Sequence, residues 1–169
     1  MSKPYQIIGQ SIHRVDAHDK LTGKAFYAGD YAFPRMLHLK ALRSDRPHAR
    51  ILAIHSDKAK ALPGIVALFT HEDVPGKNRV GSRAKDQPVL CDDRVRFVGD
   101  PVMLVAAETL EAAEEAVSLI RVDYEDLPAV FSPDEALAHE TIHIHEAGNL
   151  LLTELSSRET LTRGLKPQR

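Results

Sequence analysis

Residues 94–130 (RVRFVGDPVMLVAAETLEAAEEAVSLIRVDYEDLPAV) constrain the fold more than any other part of this chain. They read as strand, turn, strand, helix and strand in unbroken succession. Residues 96–98 predict a short strand. Gly99-Asp100-Pro101 is a turn, because glycine tolerates positive φ, aspartate bonds its own backbone and proline fixes φ. Residues 102–107 (VMLVAA) are apolar almost without a break, the pattern of a strand buried on both faces. Thr109 offers an N-cap oxygen, and Glu111 and Glu114 set negative charge near the positive end of a helix. Leu110, Ala113, Val117 and Ile120 recur at helical spacing and predict one apolar face. Residues 121–124 return as a strand, stopped by Leu127-Pro128.

The remaining segments are read around that unit. Residues 1–23 read as an arm: Ile7, Ile8, Ile12 and Val15 are apolar but follow no useful period. Residues 25–28 predict a short strand. Residues 36–43 (MLHLKALR) alternate loosely, which predicts a strand with Leu37, Leu39 and Ala41 on one face. Residues 49–55 (ARILAIH) form a second strand, and the turn-rich SDRPH between the two predicts a hairpin-like connection. Ser56 or Asp57 caps a short helix that Pro63-Gly64 ends. Residues 65–70 (IVALFT) are a strand, and His71-Glu72-Asp73 begins a single helical turn. Residues 71–90 carry few packing side chains, and loops of that length are usually functional or mobile. Ser132 and Pro133 are the N-cap and first position of a short helix over 132–137. Alternating strands and helices argue a mixed α/β layer.

Taken in order, these segments resemble the N-terminal domain of the molybdenum-cofactor subunit of xanthine dehydrogenases and aldehyde oxidases. That family reads a basic residue, Val, an aromatic, Val-Gly, an acidic or polar residue, Pro-Val, then a strand ending Ala-Glu-Thr. After the helix it reads Val-x-Tyr-Glu-x-Leu-Pro. Residues 96–102, 105–109 and 122–128 match those pieces. Residues 8–16 (IGQSIHRVD) with 20–23 (KLTG), residues 27–30 with Met36-Leu37, and Leu42-Arg43-Ser44 with 47–51 (PHARI) match further elements. So does the turn 62–65 (LPGI).

The resemblance implies an α/β-hammerhead fold, in class α+β, with a mixed sheet and a few packed helices. It divides the chain into an arm (1–23), the hammerhead domain (24–140) and a connecting tail (141–169) toward a molybdopterin-binding region. Family members hydroxylate a purine, N-heterocycle or aldehyde with oxygen from water. They pass electrons to iron–sulfur clusters and usually FAD. Their molybdopterin contacts, substrate side chains and base glutamate lie in that larger region. The motifs for these do not occur here, so no catalytic, cofactor-binding or metal residue is carried over. The expected cofactors, molybdopterin, iron–sulfur clusters and FAD, belong to the complete enzyme. The expected partners are the molybdopterin-binding region and the iron–sulfur and FAD subunits.

Composition sets the remaining bounds. The 169 residues carry 22 basic and 24 acidic side chains, a formal charge of −2, which makes no case for nucleic acid or a membrane surface. No apolar run approaches the ~18–20 residues of a membrane span. The opening MSKPYQIIG lacks the apolar core of a secretory signal. Cys91 is the only cysteine, so no intrachain disulfide or cysteine-based cluster forms within one chain, and a cytoplasmic setting is expected.

Each candidate for chemistry has a plainer reading beside it. Glu108, Glu111, Glu114, Glu115, Asp123, Glu125 and Asp126 are dense enough to suggest acid–base or metal work, but read more simply as a solvated helix face and strand end. His143 and His145 would point the same way on a strand, with His139 and Glu146 nearby, so a metal is conceivable. An exposed extended segment is the simpler reading. His48 is taken as structural. Cys91 needs a lowered pKa to act as a nucleophile, and Asp92 and Asp93 would raise it. Gly64, Gly76, Gly81 and Gly99 are isolated and form no phosphate loop. Lys77, Arg79, Arg83 and Lys85 make a basic patch for an anionic cofactor or partner, or simply a solvated loop.

Two functions follow. In the first, the chain is the structural and docking segment of a split or truncated molybdenum hydroxylase and is inactive alone. In the second, it is a stand-alone interaction module reusing the fold. Self-association through exposed apolar surface is compatible with both.

Overall fold

The protein is described from a computed structural model that covers residues 7–138 and 142–152. It divides into two units, Met1–Met36 and Leu37–Arg169.

The first unit contains a short helix, α1 (Ala17–Leu21), and a 3-10 turn over Ala28–Asp30. The helix lies in a segment without a useful apolar period, and the strand expected at 25–28 does not form. The cause is local polar bonding that apolar periodicity does not register. Asp16 takes Arg14 Nε at 2.6 Å and Lys20 Nζ at 2.6 Å, the latter one helical turn on. These cations, Lys20 first, hold the Asp16 carboxyl below its usual range. At the second turn, the Tyr27 N–H donates to Asp30 Oδ2 at 2.8 Å and closes residues 27–30 on themselves. Phe26, Tyr31 and Phe33 pack in series, with ring centroids 5.7 and 6.1 Å apart.

The second unit holds β1 (His38–Arg43), β2 (Ala49–His55), α2 (Asp57–Lys60), β3 (Ile65–Phe69), β4 (Arg94–Val95), β5 (Pro101–Ala107), α3 (Leu110–Leu119), β6 (Arg121–Asp126) and α4 (Pro133–Leu137). Its strands form two three-stranded sheets, ordered β1-β5-β3 and β4-β2-β6. Every pairing is antiparallel. Class α+β therefore holds.

β1 and β2 do not form the expected hairpin; they belong to different sheets. The turn between them is used otherwise. The Ser44 N–H donates to Asp100 O at 2.9 Å, and the Gly99 N–H donates back to Ser44 O at 2.8 Å. Ser44 Oγ accepts the Arg46 N–H at 2.9 Å and turns the chain away from β1. The strand expected at 96–98 is also displaced, to Arg94–Val95. Asp100 Oδ2 accepts the Arg96 N–H at 2.7 Å, which draws residues 96–99 into the turn.

β5 has core on both sides, as its apolar run predicts. Met103, Val105 and Ala107 join Ala59, Ala113, Ala116 and Ile120 in one cluster. Val102 joins Ala49, Cys91 and Val95 in a second. Leu42 and Ile54 pack against both. A fully buried side chain of the size of Val or Met contributes roughly 1.5–3 kcal/mol, so this strand anchors the unit. α3 starts where Thr109 Oγ1 accepts the Ala112 N–H at 3.1 Å. Its inward face is Ala113, Ala116 and Val117, continued by Ile120, while Leu110 stays 43% exposed. Ser132 Oγ likewise accepts the Glu135 N–H at the start of α4, with Pro133 in the first turn.

Leu39 and Ala41 share one face of β1, as expected, and it is the face turned away from α3. Lys40 and Leu42 lie toward α3: Lys40 Nζ reaches Glu114 Oε1 at 2.6 Å and Leu42 packs into the cores. Leu37 and Leu39 are exposed. One residue of slip exchanges the two faces of a strand, and apolar residues occur on both faces here.

The segment 71–92 is cross-braced. It opens with a 3-10 turn, His71–Asp73, in which Thr70 accepts the Glu72 N–H and Asp73 accepts the Thr70 N–H at 2.7 Å. Val80 and Gln87 pair as an isolated bridge. Asn78 donates from Nδ2 to Leu90 O at 2.7 Å, and its Oδ1 accepts from Val89 and Leu90 N–H.

Candidate functional site

The first structural feature with a bearing on function is the outer side of the β1-β5-β3 sheet. The register pairs Leu39 with Ala106 and Ala41 with Leu104 across β1 and β5. It pairs Ala67 with Ala106 and Phe69 with Leu104 across β3 and β5. Directly paired residues project from the same side. The opposite parity, Val105 and Ala107, packs with α3. The outer side is thus Leu39, Ala41, Leu104, Ala106, Ala67 and Phe69, six apolar side chains with no charge among them. Leu39 is 62% and Phe69 37% exposed, Ala41, Leu104 and Ala67 are half-buried, and Ala106 is buried.

The second feature lies around the turn at 96–101. Asp100 is buried, with its backbone tied to Ser44 and its carboxylate to the Arg96 N–H. Arg43 Nη1 donates to Gly99 O at 2.8 Å. The Cys91 N–H donates to Pro101 O at 2.8 Å. Burial pushes the Cys91 thiol up to about 12, and the adjoining Asp100 carboxylate adds to the rise. The expectation of a raised value holds, but the cause differs: Asp92 contributes least and burial most. A thiol held protonated in this way is a poor nucleophile at neutral pH.

Two adjoining clefts of about 350 and about 360 Å³ flank Arg96 and share Arg96, His145 and Asn149 as a common wall. One wall is fixed by Asn149, which accepts the Ile144 N–H at 2.8 Å and donates to Ile142 O and Ala136 O. Another is the braced segment ending near Pro88.

The residues named from the sequence do not converge on one site. Glu114, Glu125 and Asp126 pair with Lys40, Arg50 and Arg46. Asp123 takes His55 Nε2 at 2.7 Å and Arg121 Nε at 3.4 Å, and the His55 bond holds its carboxyl below the usual range. Glu108, Glu111 and Glu115 are exposed. Exposed pairs of this kind contribute little to stability. His139 lies outside the described residues. His143 and His145 are not on a strand, because the Asn149 amide folds 142–149 into turns. His145 Nδ1 stands 3.2 Å from Asp86 Oδ2, and His143 is exposed. Among the described residues no group of three or more His, Cys, Asp or Glu is placed to hold a metal. Of the basic patch, Arg79 turns to Asp92 at 2.7 Å. Burial raises the Asp92 carboxyl, but the bonds from Arg79 and the backbone outweigh it and the carboxyl sits low.

His48 is buried, with Nδ1 2.6 Å from Pro128 O. A carbonyl only accepts, so Nδ1 carries the proton and the ring ties the start of β2 to the end of β6. That role is structural, as the sequence suggested. Sequence reasoning missed Arg96, Asn78 and Asn149. A polar residue inside a long loop was the only signal for the two asparagines.

Comparison with known proteins fits this architecture. The family model for the aldehyde oxidase and xanthine dehydrogenase a/b hammerhead domain matches residues 22–128. The chain belongs to that family, as its hammerhead domain. It is 49% identical over 138 residues to a probable xanthine dehydrogenase subunit from Bacillus subtilis, covering 82% of this chain and 18% of that protein. It is 41% identical over 150 residues to the nicotinate dehydrogenase large molybdopterin subunit of Eubacterium barkeri, covering 89% of this chain and 35% of that protein. The solved aldehyde oxidoreductase of Desulfovibrio gigas superposes with a TM-score of 0.74 at 35% identity, over 79% of this chain and 16% of that one. The chain therefore spans between a sixth and about a third of the length of these relatives. No helix among the described residues is long and apolar enough to cross a membrane.

Proposed function

We propose that this chain is the structural and docking domain of a xanthine dehydrogenase-like molybdenum hydroxylase. Such an enzyme hydroxylates a purine, an N-heterocycle or an aldehyde with oxygen from water. The carrying observation is the outer side of the β1-β5-β3 sheet, six apolar side chains without a charge. Leu39 and Phe69 are its exposed members, and large apolar side chains left open on a charge-free sheet face favour a covering partner. What family membership supports as the cover is the molybdopterin-binding portion of such an enzyme. The iron–sulfur and FAD subunits complete the assembly.

Molybdopterin, iron–sulfur clusters and FAD are assigned to those other portions. Among the described residues no group of side chains suits an iron–sulfur cluster. The sole cysteine is buried and held protonated, and the histidines are dispersed or paired with aspartates. The contribution of this chain is positional: a rigid sheet that fixes the geometry of its neighbour. Its single unpaired cysteine suits a reducing cytoplasm.

The test is co-expression with the molybdopterin-binding portion and the iron–sulfur and FAD subunits, followed by co-purification. The chain is expected to co-purify, and Leu39→Asp with Phe69→Asp to abolish association while the α3 helix signal is retained. Failure of the wild-type chain to associate with a full complement present overturns the docking role. The isolated chain is expected to show no turnover of purines or aldehydes; measurable hydroxylation would refute its assignment as a non-catalytic domain.

A further inference from the structure

The edges of the two sheets are guarded unevenly. β6 carries Arg121, Asp123, Glu125 and Asp126, β1 carries His38, Lys40 and Arg43, and β4 is two residues long. Charge and shortness of this kind keep an edge strand from recruiting another strand. β3 has neither. It reads IVALF, without charge or proline, and it is an edge because it pairs with β5 alone. An edge strand turns about half of its N–H and C=O groups away from its neighbour. Among the described residues, Val66, Ala67, Leu68 and Phe69 make no hydrogen bond outside the β3-β5 ladder.

The residues of β3 select its partner. Against their own copies, β1 would set cations near cations and β6 would set three carboxylates against one arginine, and like charges across a pair are destabilising. β3 meets no such repulsion. The irregularity between Ile65 and Ala67 leaves residues 67–69 as the regular part of the strand. Ala67 and Phe69 project on the outer side, and Leu68 projects on the other, where it packs against the first core. A two-fold axis at Leu68 sets Ala67 opposite Phe69 of the second copy, small against large on one side of the sheet. It sets Leu68 opposite Leu68 on the other. The outward N–H and C=O groups then meet their counterparts, and the two charge-free outer sides become one.

We propose that β3 pairs antiparallel with β3 of a second copy of this chain. Two three-stranded sheets become one of six strands, in the order β1-β5-β3-β3-β5-β1. Sheets of that width are common. The inference does not rest on the docking reading. It concerns the edge of the sheet, and the outer side of all six strands stays open to a cover.

The test is disulfide trapping together with sedimentation velocity, both on the full chain. In a Cys91→Ala background, Ala67→Cys and Phe69→Cys are prepared as two separate proteins. Directly opposite positions lie within reach of a disulfide, and positions two residues out of register do not. The oxidised mixture is expected to yield the mixed dimer about tenfold faster than either protein alone yields its own. Val66→Lys, at a side chain 53% exposed, supplies the missing guard charge. It is expected to cut the dimer share severalfold while the α3 helix signal is retained. A chain that is monomeric at all concentrations overturns the proposal. So does trapping of either variant by itself as fast as the mixture, which means packing face to face. A dimer share unchanged in Val66→Lys overturns it as well. A chain that forms the mixed disulfide yet fails to co-purify with the molybdopterin-binding portion sinks the docking reading alone; one that co-purifies yet never pairs sinks this inference alone.

Discussion

Gly81 adopts φ +145°, and a Cβ built there would lie 1.7 Å from the Ala84 carbonyl oxygen. No side chain fits without moving the backbone. Gly81→Ala is expected to destabilise the chain by about 2 kcal/mol or more, read as a lowered urea midpoint. Cys91 leads to two expectations. At pH 8 it should react with iodoacetamide only after unfolding, since a thiol at about 12 is almost wholly protonated. The folded state also holds this proton more tightly than the unfolded one, whose ordinary value is 9.0. Its stabilising effect is therefore complete below about pH 9 and is lost as pH climbs toward 12. Urea titrations of wild type and Cys91→Ala across that range check the sign: the pH-linked fall should be smaller in the variant. At this scale sequence proximity misled. Asp92 and Asp93 adjoin Cys91 along the chain, yet Asp100, brought in by the turn before β5, acts on it more strongly.

Elements were legible wherever a period or a cap wrote them into the chain. Thr109, Ser132 and the apolar run of β5 each did what the sequence indicates. Removing the cap, Thr109→Ala, is expected to cost about 1 kcal/mol, measurable by thermal or urea unfolding. Strand parity was not legible in β1, because Leu39 and Leu42 lie on opposite faces and both are apolar. The two positions separate experimentally. Leu42→Asp buries a charge against both cores and should destabilise the chain by about 3 kcal/mol or more. Leu39→Asp should leave urea stability within about 0.5 kcal/mol and act only on association. The missing hairpin has a different reason. Nothing in SDRPH distinguishes a turn that returns to its own strand from one, like that at Ser44, that docks onto residues 99 and 100.

For the whole molecule, the ordered family resemblance indicated the fold class, while the division into two sheets and the placement of Arg96 between two clefts required coordinates. A chain with a charge-free sheet face should self-associate when isolated. Sedimentation velocity should show a concentration-dependent average mass, reduced by Leu39→Asp and Phe69→Asp. A mass that stays monomeric at all concentrations would mean that something already satisfies that face. The pairing scheme also bears on how the protein is made. β1 pairs with β5, and β2 with β4 and β6, so Leu39 meets Ala106 and Ile51 meets Tyr124. Neither early strand has a neighbour from the first half of the sequence. With synthesis at roughly 5–20 residues per second, β1 waits on the order of several seconds for its partner. During that interval the apolar residues of β1, β2 and β3 are all outside the ribosome with no sheet to join, and long-range pairing of this kind folds slowly even once the chain is complete. The layout that gives the finished domain its rigid central strand therefore makes its nascent chain a natural client for chaperones.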